Sequence, residues 1–196
     1  IITLGTQAIF RGATLIVSNS SAVFGFPASF TKSISASVLG IPVIAIVAII
    51  VALILAFLTI KTKLGRNIYA LGGNKESAWY SGINVKLHTL IVFIISGLCA
   101  GIAGIVLLGR VGSAEPAAAT GFETYAIAAA IIGGTSFFGG KGKIHGVVVG
   151  GLIIGVINYG MNILSLSSTL QQVVMGALII GSVALDRFVG SKNTSK

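Results

Sequence analysis

Long apolar runs separated by short polar segments dominate this sequence. Residues 41–60 are apolar apart from one threonine, enough helix to cross a hydrocarbon core about 30 Å thick, and Pro42 stands where a first helical turn tolerates it. Residues 87–108 and 144–164 form runs of similar length, and residues 169–185 form a shorter run without charge. The pattern predicts a membrane-spanning helix in each of these four stretches.

Two further apolar stretches leave more than one assignment open. Residues 1–17 have the character of the end of another span. Residues 122–138 are short and broken by glycines, so they either cross the membrane or form a half-helix that re-enters it. The predicted fold is therefore all-α, a polytopic transmembrane helical bundle with about five to six membrane segments. Because the chain opens inside an apolar run without a methionine, we expect one or more spans to precede Ile1.

The composition agrees with a membrane protein. Of the 196 residues, 55% are hydrophobic and 9% are charged, and the mean hydropathy is +1.03, which excludes an ordinary soluble domain. The 27 glycines suit helices that approach one another closely in lipid. Pairs with the spacing G-x-x-x-G are candidate helix contacts: Gly97 and Gly101, Gly146 and Gly150, and Gly151 and Gly155. The single cysteine, Cys99, excludes an intrachain disulfide.

The basic residues report topology rather than a nucleic-acid surface. The net charge is +9, yet the lysines and arginines are spread over short segments between apolar runs instead of forming one patch. Most fall in segments that the predicted spans place on one side, and the positive-inside rule makes that side, with the C-terminus, cytoplasmic. These residues are Lys61, Lys63, Arg66, Lys75, Lys86, Lys141, Lys143, Arg187, Lys192 and Lys196. Lys32 and Arg110 lie in the opposite loops, and Arg11 lies in or beside the first apolar run.

The sequence indicates no catalytic or metal centre. No acidic residue lies in the middle of a firm span, which argues against coupling to protons or sodium. Residues 134–142 are glycine-rich but lack the Gly-Lys-Ser/Thr ending of a phosphate loop, and His88 and His145 stand alone near span ends. We therefore expect no catalytic residue, no metal and no cofactor bound by this chain itself.

The polar segment at residues 61–86 is larger than a turn between two spans requires. It contains glycines, an acid, adjacent aromatics and several lysines. We interpret it as a docking loop that presents a surface to a partner outside the membrane.

Several segments, in order along nearly the whole chain, resemble the simple-sugar permeases of bacterial ABC importers. The first are Leu64-Gly-Arg-Asn-Ile-Tyr-Ala-Leu-Gly-Gly-Asn74 and Ser81-Gly-Ile-Asn-Val85. The later ones, similar to the ribose, galactose and xylose members, are Arg110-Val-Gly-Ser-Ala-Glu-Pro116, Gly133-Gly-Thr-Ser136, Gly139-Gly-Lys-Gly142 and Val156-Ile-Asn-Tyr-Gly160. The resemblance implies the larger, C-terminal part of a permease, with a transmembrane domain at residues 1–188, its coupling loop at 61–86, and a cytoplasmic tail at 189–196.

Within the loop, Glu76-Ser-Ala78-Trp-Tyr-Ser-Gly82 resembles the E-A-A-x-x-x-G docking motif of ABC importer permeases. The resemblance implies a short coupling helix that lies in a groove of an ATPase subunit and converts nucleotide-driven movement into tilting of the spans. Trp79 and Tyr80 are then groove anchors, unless they are interfacial aromatics without a partner. The candidate coupling residues are Gly73, Asn74, Glu76, Ala78, Trp79, Tyr80 and Gly82.

The resemblance also implies partners, a location and a substrate class. Such permeases lie in the bacterial inner membrane, surrounded by lipid, and usually pair as homodimers. They receive a monosaccharide from a periplasmic or surface binding protein, and ATP with Mg²⁺ binds a separate ATPase subunit. Polar side chains in apolar helices suit a neutral sugar, although they can equally lock helices together by hydrogen bonds. The candidates for the sugar path are Glu123, Tyr125, Asn158, Asn162, Gln171 and Gln172.

One departure from the family pattern leaves the sugar open. Where the family usually reads Glu-Leu-Asp-Ala-Ile-Ala, this chain reads Glu123-Thr-Tyr125-Ala-Ile-Ala, so the second acid has become a tyrosine. The expected function is ATP-driven import of a monosaccharide. The alternatives are a self-sufficient secondary carrier or channel for a small neutral solute, and a membrane scaffold whose loop recruits a protein.

Overall fold

We describe the protein from a computed structural model that defines the backbone of residues 2–193 and the side chains of residues 2–184. The described residues form helices and one two-stranded antiparallel hairpin. In chain order these are α1 (Ile2–Val17), α2 (Ala28–Ser35), β1 (Ser37–Val38), β2 (Ile41–Pro42), α3 (Val43–Lys61), α4 (Lys63–Gly73), α5 (Lys75–Tyr80), α6 (Val85–Val111), α7 (Phe122–Ile132), α8 (Ile144–Ile163) and α9 (Ser168–Asn193). The side chains of Arg187, Lys192 and Lys196, which we predict to be cytoplasmic, lie outside the described residues.

Among the residues that the structure describes, three helices are long and apolar enough to cross a membrane: α3, α6 and α8. They confirm the spans predicted at residues 41–60, 87–108 and 144–164. The 19 residues of α3 reach about 28 Å, close to the thickness of a hydrocarbon core. Pro42 ends β2 and α3 begins at Val43, so the proline precedes the helix instead of occupying its first turn.

The helix α7 is too short to cross a bilayer by itself. Its 11 residues reach about 16 Å, roughly half of the hydrocarbon thickness. Of the predicted segment 122–138, only the part up to Ile132 is helical. The half-helix alternative therefore describes this segment better than a continuous span. The apolar parts of α1 (Ile2–Val17) and α9 (Ser168–Ala184) are also shorter than a full span.

Backbone hydrogen bonds explain why α7 stops where it does. Gly134 N–H donates to Ile131 O (2.9 Å), and Thr135 N–H donates to Ala130 O (3.0 Å). This is the Schellman arrangement, in which the residue after the cap must be left-handed, and Gly134 has φ +83°. Gly134 thus ends the helix, and the Phe137–Phe138 pair that follows lies outside it.

The chain divides into two compact units, of which the first comprises residues up to Ile50 together with Ile95–Thr120. Within it, Val23 and Ala114 form an antiparallel bridge with both N···O distances at 2.9 Å. The bridge joins the segment before α2 to the segment after α6. Lys32 lies in α2 and Arg110 in the last turn of α6, so the bridge brings the segments next to these two residues to the same side, as the charge pattern predicts.

The second unit comprises Val51–Ile94 and the described residues from Gly121 onward. Its buried cluster is formed by α7, α8 and α9, and Met175 at its centre is 1% exposed. The other buried members of the cluster are Ala128, Ala129, Ile154 and Met161.

Small residues bring α7 and α8 into backbone contact within this unit. A Cβ added at Gly146 would meet the carbonyl of Gly133, and one added at Gly150 would meet the carbonyl of Ala129 and lie 2.8 Å from the nitrogen of Gly133. The pairing order is reversed along the two helices, so they run antiparallel. The contact predicted for the Gly146/Gly150 pair is confirmed. The other two predicted pairs have open space at each added Cβ.

Most large apolar side chains of the long helices face outward. Leu53 and Phe57 on α3 are 65% and 63% exposed, and Leu98 on α6 is 63% exposed. In water such surfaces would drive aggregation, whereas a lipid environment accepts them without cost. The exterior thus agrees with the fold class predicted from the sequence, a helical membrane bundle.

Candidate functional site

The docking loop begins with a sharp corner between α3 and α4. Thr62 separates the two helices, and its Oγ1 accepts a hydrogen bond from Gly65 N–H (3.2 Å) while donating to Leu58 O (2.5 Å). Gly65 packs against the last turn of α3, because an added Cβ would lie only 2.5 Å from the Cα of Thr59. A side-chain cap and a close backbone approach therefore set the direction of α4.

A single residue, Asn74, separates α4 from α5 and serves both helices. Its backbone N–H donates to Ala70 O (3.1 Å), closing α4, and its Oδ1 accepts from Ser77 N–H (3.0 Å), capping the start of α5. Glu76 lies in the first turn of α5, where a negative charge is favourable. Asn74 therefore stabilises both the end of α4 and the start of α5.

The end of α5 explains the glycine of the docking motif. Gly82 N–H donates to Trp79 O (2.9 Å), and Ile83 N–H donates to Ala78 O (3.0 Å), which is again the Schellman arrangement. Gly82 has φ +81°, a conformation that favours glycine. In this geometry Gly82 ends the helix and lets the chain turn toward α6.

The helix α5 has one buried position and an exposed aromatic surface. Ala78 is 3% exposed, whereas Trp79 and Tyr80 are 63% and 80% exposed. The two rings meet edge to face with their centroids 5.0 Å apart, and Glu76 is exposed on the same short helix. Such a surface combines apolar area with a carboxylate and is suited to docking in a groove.

A histidine ties the beginning of α6 to α4. Asn84 caps α6 by accepting from Leu87 N–H (3.0 Å), and its carbonyl lies 2.8 Å from His88 Nδ1. His88 Nε2 lies 3.0 Å from Asn67 Nδ2 on α4. The Asn67 amide donates to Nε2, so the neutral tautomer with hydrogen on Nδ1 satisfies both contacts. His88, which stands alone in the sequence, is thus a link between two helices.

The other face of α4 lies against the turn between α7 and α8. Tyr69 Oη donates to Gly142 O (2.9 Å), and the backbone at Gly72 packs against Gly139 and Gly140. Because the two loops touch, they lie on the same side of any membrane. This agrees with the charge pattern, which places Lys61–Lys86 and Lys141–Lys143 together.

The structure places the predicted coupling residues on one short element. All but Gly73 cap α5 or belong to it or to its C-terminal turn, and Gly73 is the last residue of α4, with open space at an added Cβ. Sequence reasoning missed the residues that hold this element in place, Asn67, Tyr69, Gly72 and His88. The only indication of these contacts was the two adjacent glycine pairs, Gly72-Gly73 and Gly139-Gly140.

Two of the candidates for a sugar path hydrogen bond to each other at the turn between α8 and α9. Gln171 Nε2 lies 3.2 Å from Asn162 Oδ1 and 3.0 Å from Leu166 O. The Asn162 amide also donates to the backbone carbonyl of Asn158 (2.9 Å). These contacts stabilise the turn, in line with the alternative that such polar groups lock helices together.

The remaining path candidates occupy different surroundings. Tyr125 is half-buried, packs against the buried cluster, and has its ring centroid 6.0 Å from that of Phe122. Glu123 lies in the first turn of α7, and Gln172 is exposed on α9. The six residues are therefore distributed over all three helices around the buried cluster.

The chain is similar to known membrane transport proteins. It matches the family described as "Branched-chain amino acid transport system / permease component" over residues 1–183. It is 66% identical over 189 residues to the D-allose transport system permease protein AlsC of Escherichia coli, covering 96% of this chain and 58% of that protein. It is 41% identical over 189 residues to the ribose import permease protein RbsC of Bacillus subtilis, covering 95% of this chain and 59% of the relative. It is 39% identical over 188 residues to the L-arabinose transport system permease protein AraH of Escherichia coli, covering 96% and 57%.

These relatives are longer proteins. The chain spans between 57% and 59% of their lengths. No solved structure matches the chain.

Proposed function

This chain belongs to the family of transport-system permease components, and from that membership we propose that it forms part of the membrane subunit of an ATP-driven monosaccharide importer. In this proposal the chain provides helices for the sugar path and a docking element, while ATP with Mg²⁺ is bound and hydrolysed by a separate subunit. The observation that carries the proposal is α5, a capped and glycine-terminated helix with an exposed aromatic surface in the loop between α3 and α6.

The names of the relatives support a sugar as the substrate. The three relatives described above are named for D-allose, ribose and L-arabinose, all of them neutral and rich in hydroxyl groups. At 66% identity the D-allose permease shares far more of its sequence than the two at about 40%. D-allose is therefore the first sugar to test, with ribose and L-arabinose as competitors.

The helices α7, α8 and α9 supply the polar groups proposed for the path. Hydroxylated substrates are held by amide, hydroxyl and aromatic groups rather than by fixed charge. Asn158, Tyr125 and Gln172 offer such groups, and Glu123 offers an acceptor at the start of α7. Asn162 and Gln171 contribute by fixing the α8–α9 turn, and Gln172 follows Gln171 on α9.

The proposed assembly places α4, α5 and the turn between α7 and α8 in the cytoplasm, together with the C-terminus. The support is the concentration of lysine and arginine in these segments, together with the contact between α4 and the turn. A second permease subunit, most simply another copy, completes the path in the bacterial inner membrane, and a periplasmic or surface binding protein delivers the sugar.

Docking can be tested with the tagged full-length permease expressed together with the ATPase subunit of its transport system. We expect the ATPase to be recovered in detergent with the native permease but not with Glu76→Lys or Gly82→Trp, while the variants still insert into the membrane. Uptake of labelled D-allose is expected to fall in parallel. Gly104→Ala in α6 is the matched control, because its added methyl meets open space away from the docking loop.

The alternative outcomes separate the other functions. Undiminished recovery of the ATPase with both α5 variants would refute the assignment of α5. Sugar uptake without any associated ATPase would identify a secondary carrier. If neither sugar uptake nor an associated ATPase is found, the scaffold function remains.

A further inference from the structure

We propose that the backbone contact between Gly72 and the Gly139–Gly140 turn is the joint that passes movement of α5 to α7 and α8. Gly72, Gly139 and Tyr69 are then positioning residues for transport, without contact to either sugar or nucleotide. This inference rests on the proposed function, because it requires an ATPase that moves α5.

The contact is made by backbone atoms on both sides. A Cβ added at Gly72 would lie 2.7 Å from the nitrogen of Gly140, and one added at Gly139 would lie 2.7 Å from the carbonyl oxygen of Gly72. A Cβ at Gly140 would lie 2.7 Å from the Cα of Gly73. No rotamer change can relieve such overlaps, because every atom met belongs to the main chain. Any side chain at these positions must therefore push α4 and the turn apart.

A second interaction holds the same two elements together. Tyr69 precedes Gly72 by three residues and thus lies on the same face of α4. Its hydroxyl donates to Gly142 O at 2.9 Å. The helix α4 consequently contacts the turn at two points, through a hydrogen bond and through a close backbone approach.

The turn itself is well supported by hydrogen bonds. Ser136 N–H donates to Lys141 O (3.0 Å), and Gly139 N–H donates to Ser136 O (3.2 Å). Gly139 and Gly140 have φ values of +91° and +73°, a conformation that favours glycine at both positions. When Gly72 displaces the turn, the turn therefore moves as a unit and passes the displacement to α7 and α8 instead of deforming.

The contact between α4 and the turn connects α5, the proposed docking helix, with α7 and α8, which carry the proposed sugar path. On one side, Asn74 alone separates α4 from α5, and its two hydrogen bonds fix the corner. On the other side, the turn connects α7 to α8, which are in backbone contact through Gly133 and Gly146. Movement of α5 thus reaches the helices that carry the proposed sugar path through packed elements, the physical requirement for coupling between distant sites.

The test compares Gly72→Ala with Gly104→Ala in the full-length permease, reconstituted with its ATPase and binding protein in proteoliposomes. Both glycines lie inside helices, α4 and α6, and neither has a positive φ, but an added methyl meets the turn at Gly72 and open space at Gly104. We expect Gly72→Ala to retain the ATPase and its hydrolysis rate while D-allose uptake falls about tenfold, since displacements near 1 Å at positioning contacts cost that order or more. Gly104→Ala is expected to match the native protein in both measurements.

A milder variant guards against a folding defect. Tyr69→Phe removes only the hydroxyl that contacts Gly142, and we expect it to lower uptake per ATP about threefold, the effect of losing one hydrogen bond. Equal transport by Gly72→Ala and Gly104→Ala, with Tyr69→Phe also unchanged, would overturn the joint and leave the proposed function intact. Loss of ATP hydrolysis in step with uptake would also overturn it, because the contact would then serve docking or stability. Failure of the native permease to recover any ATPase would overturn the proposed function, and the joint with it.

Discussion

At the scale of single residues, the left-handed position after a helix is occupied by glycine at some helix ends and by serine at another. The helices α5 and α7 end with a glycine in the left-handed conformation, Gly82 and Gly134, and the same hydrogen bonds end α8 with Ser165 at φ +53°. A residue with a Cβ pays about 1 kcal/mol for that conformation. Glycine therefore stands at the end of the proposed docking helix, whereas the turn between α8 and α9 tolerates the strain.

The strain at Ser165 gives a direct prediction for stability. Ser165→Gly relieves the left-handed strain, leaves the backbone hydrogen bonds of the turn in place, and is expected to raise the free energy of unfolding by up to about 1 kcal/mol. Gly134→Ser is the reciprocal variant, because its side chain meets open space and only its φ of +83° opposes it. It should destabilise by a similar amount. Thermal unfolding in detergent measures both, and two changes of the same sign would contradict the argument.

At the scale of elements, the length of an apolar run predicts the long helices well, because a helix that crosses the lipid core must be apolar along its whole length. The spans at α3, α6 and α8 follow from uninterrupted apolar runs. For α7 the sequence leaves a span and a half-helix open, because glycines interrupt residues 122–138, and the stop itself depends on Gly134 and its hydrogen bonds. The two-residue strands β1 and β2 are too short to leave a periodic pattern.

The candidate site divides in the same way between local and distant information. The start and end of α5 are local features, a capping Asn74 and a terminal Gly82, and both lie within or directly beside the docking motif. The supports of α4 are distant, because Tyr69 and Gly142 are 73 residues apart. A single sequence contains no pattern that pairs two such positions, so the joint becomes visible only in three dimensions.

The aromatic surface of α5 either docks in a groove of the ATPase or lies at the membrane interface, and the fluorescence of Trp79 can distinguish the two. Trp79 is the only tryptophan among the 196 residues. In a full-length variant whose only tryptophan is Trp79, we expect its emission to shift to the blue when a tryptophan-free ATPase subunit binds. Brominated lipids should quench it little, because α5 meets a protein groove rather than the bilayer.

Glu76→Lys supplies the control for this measurement, since it leaves Trp79 in place and is predicted to prevent docking. Strong quenching by brominated lipid, with no response to the ATPase, would make Trp79 an interfacial anchor instead.

At the scale of the whole molecule, contacts and charge give one consistent sidedness. The hydrogen bond from Tyr69 to Gly142 joins two segments rich in lysine. The Val23–Ala114 bridge joins two segments without a basic residue of their own, which adjoin α2 with Lys32 and the end of α6 with Arg110. Each contact lies within one compact unit and needs no assumption about the other. A membrane that obeys the positive-inside rule then places the first pair of loops in the cytoplasm.

Labelling of single cysteines tests that sidedness. On a Cys99→Ala background, Ser81→Cys after α5 and Ser113→Cys after α6 place one exposed or half-exposed thiol in each kind of loop. A membrane-impermeant maleimide is expected to label Ser113→Cys on the outer surface of intact spheroplasts and Ser81→Cys only in inverted vesicles. The reason is the cost of translocating loops rich in lysine and arginine, which acts on the loop after α3 and not on the loop after α6. Labelling of Ser81→Cys from outside would reverse the orientation and remove α5 from the reach of any cytoplasmic ATPase, so this measurement bears on the orientation and on the docking proposal together.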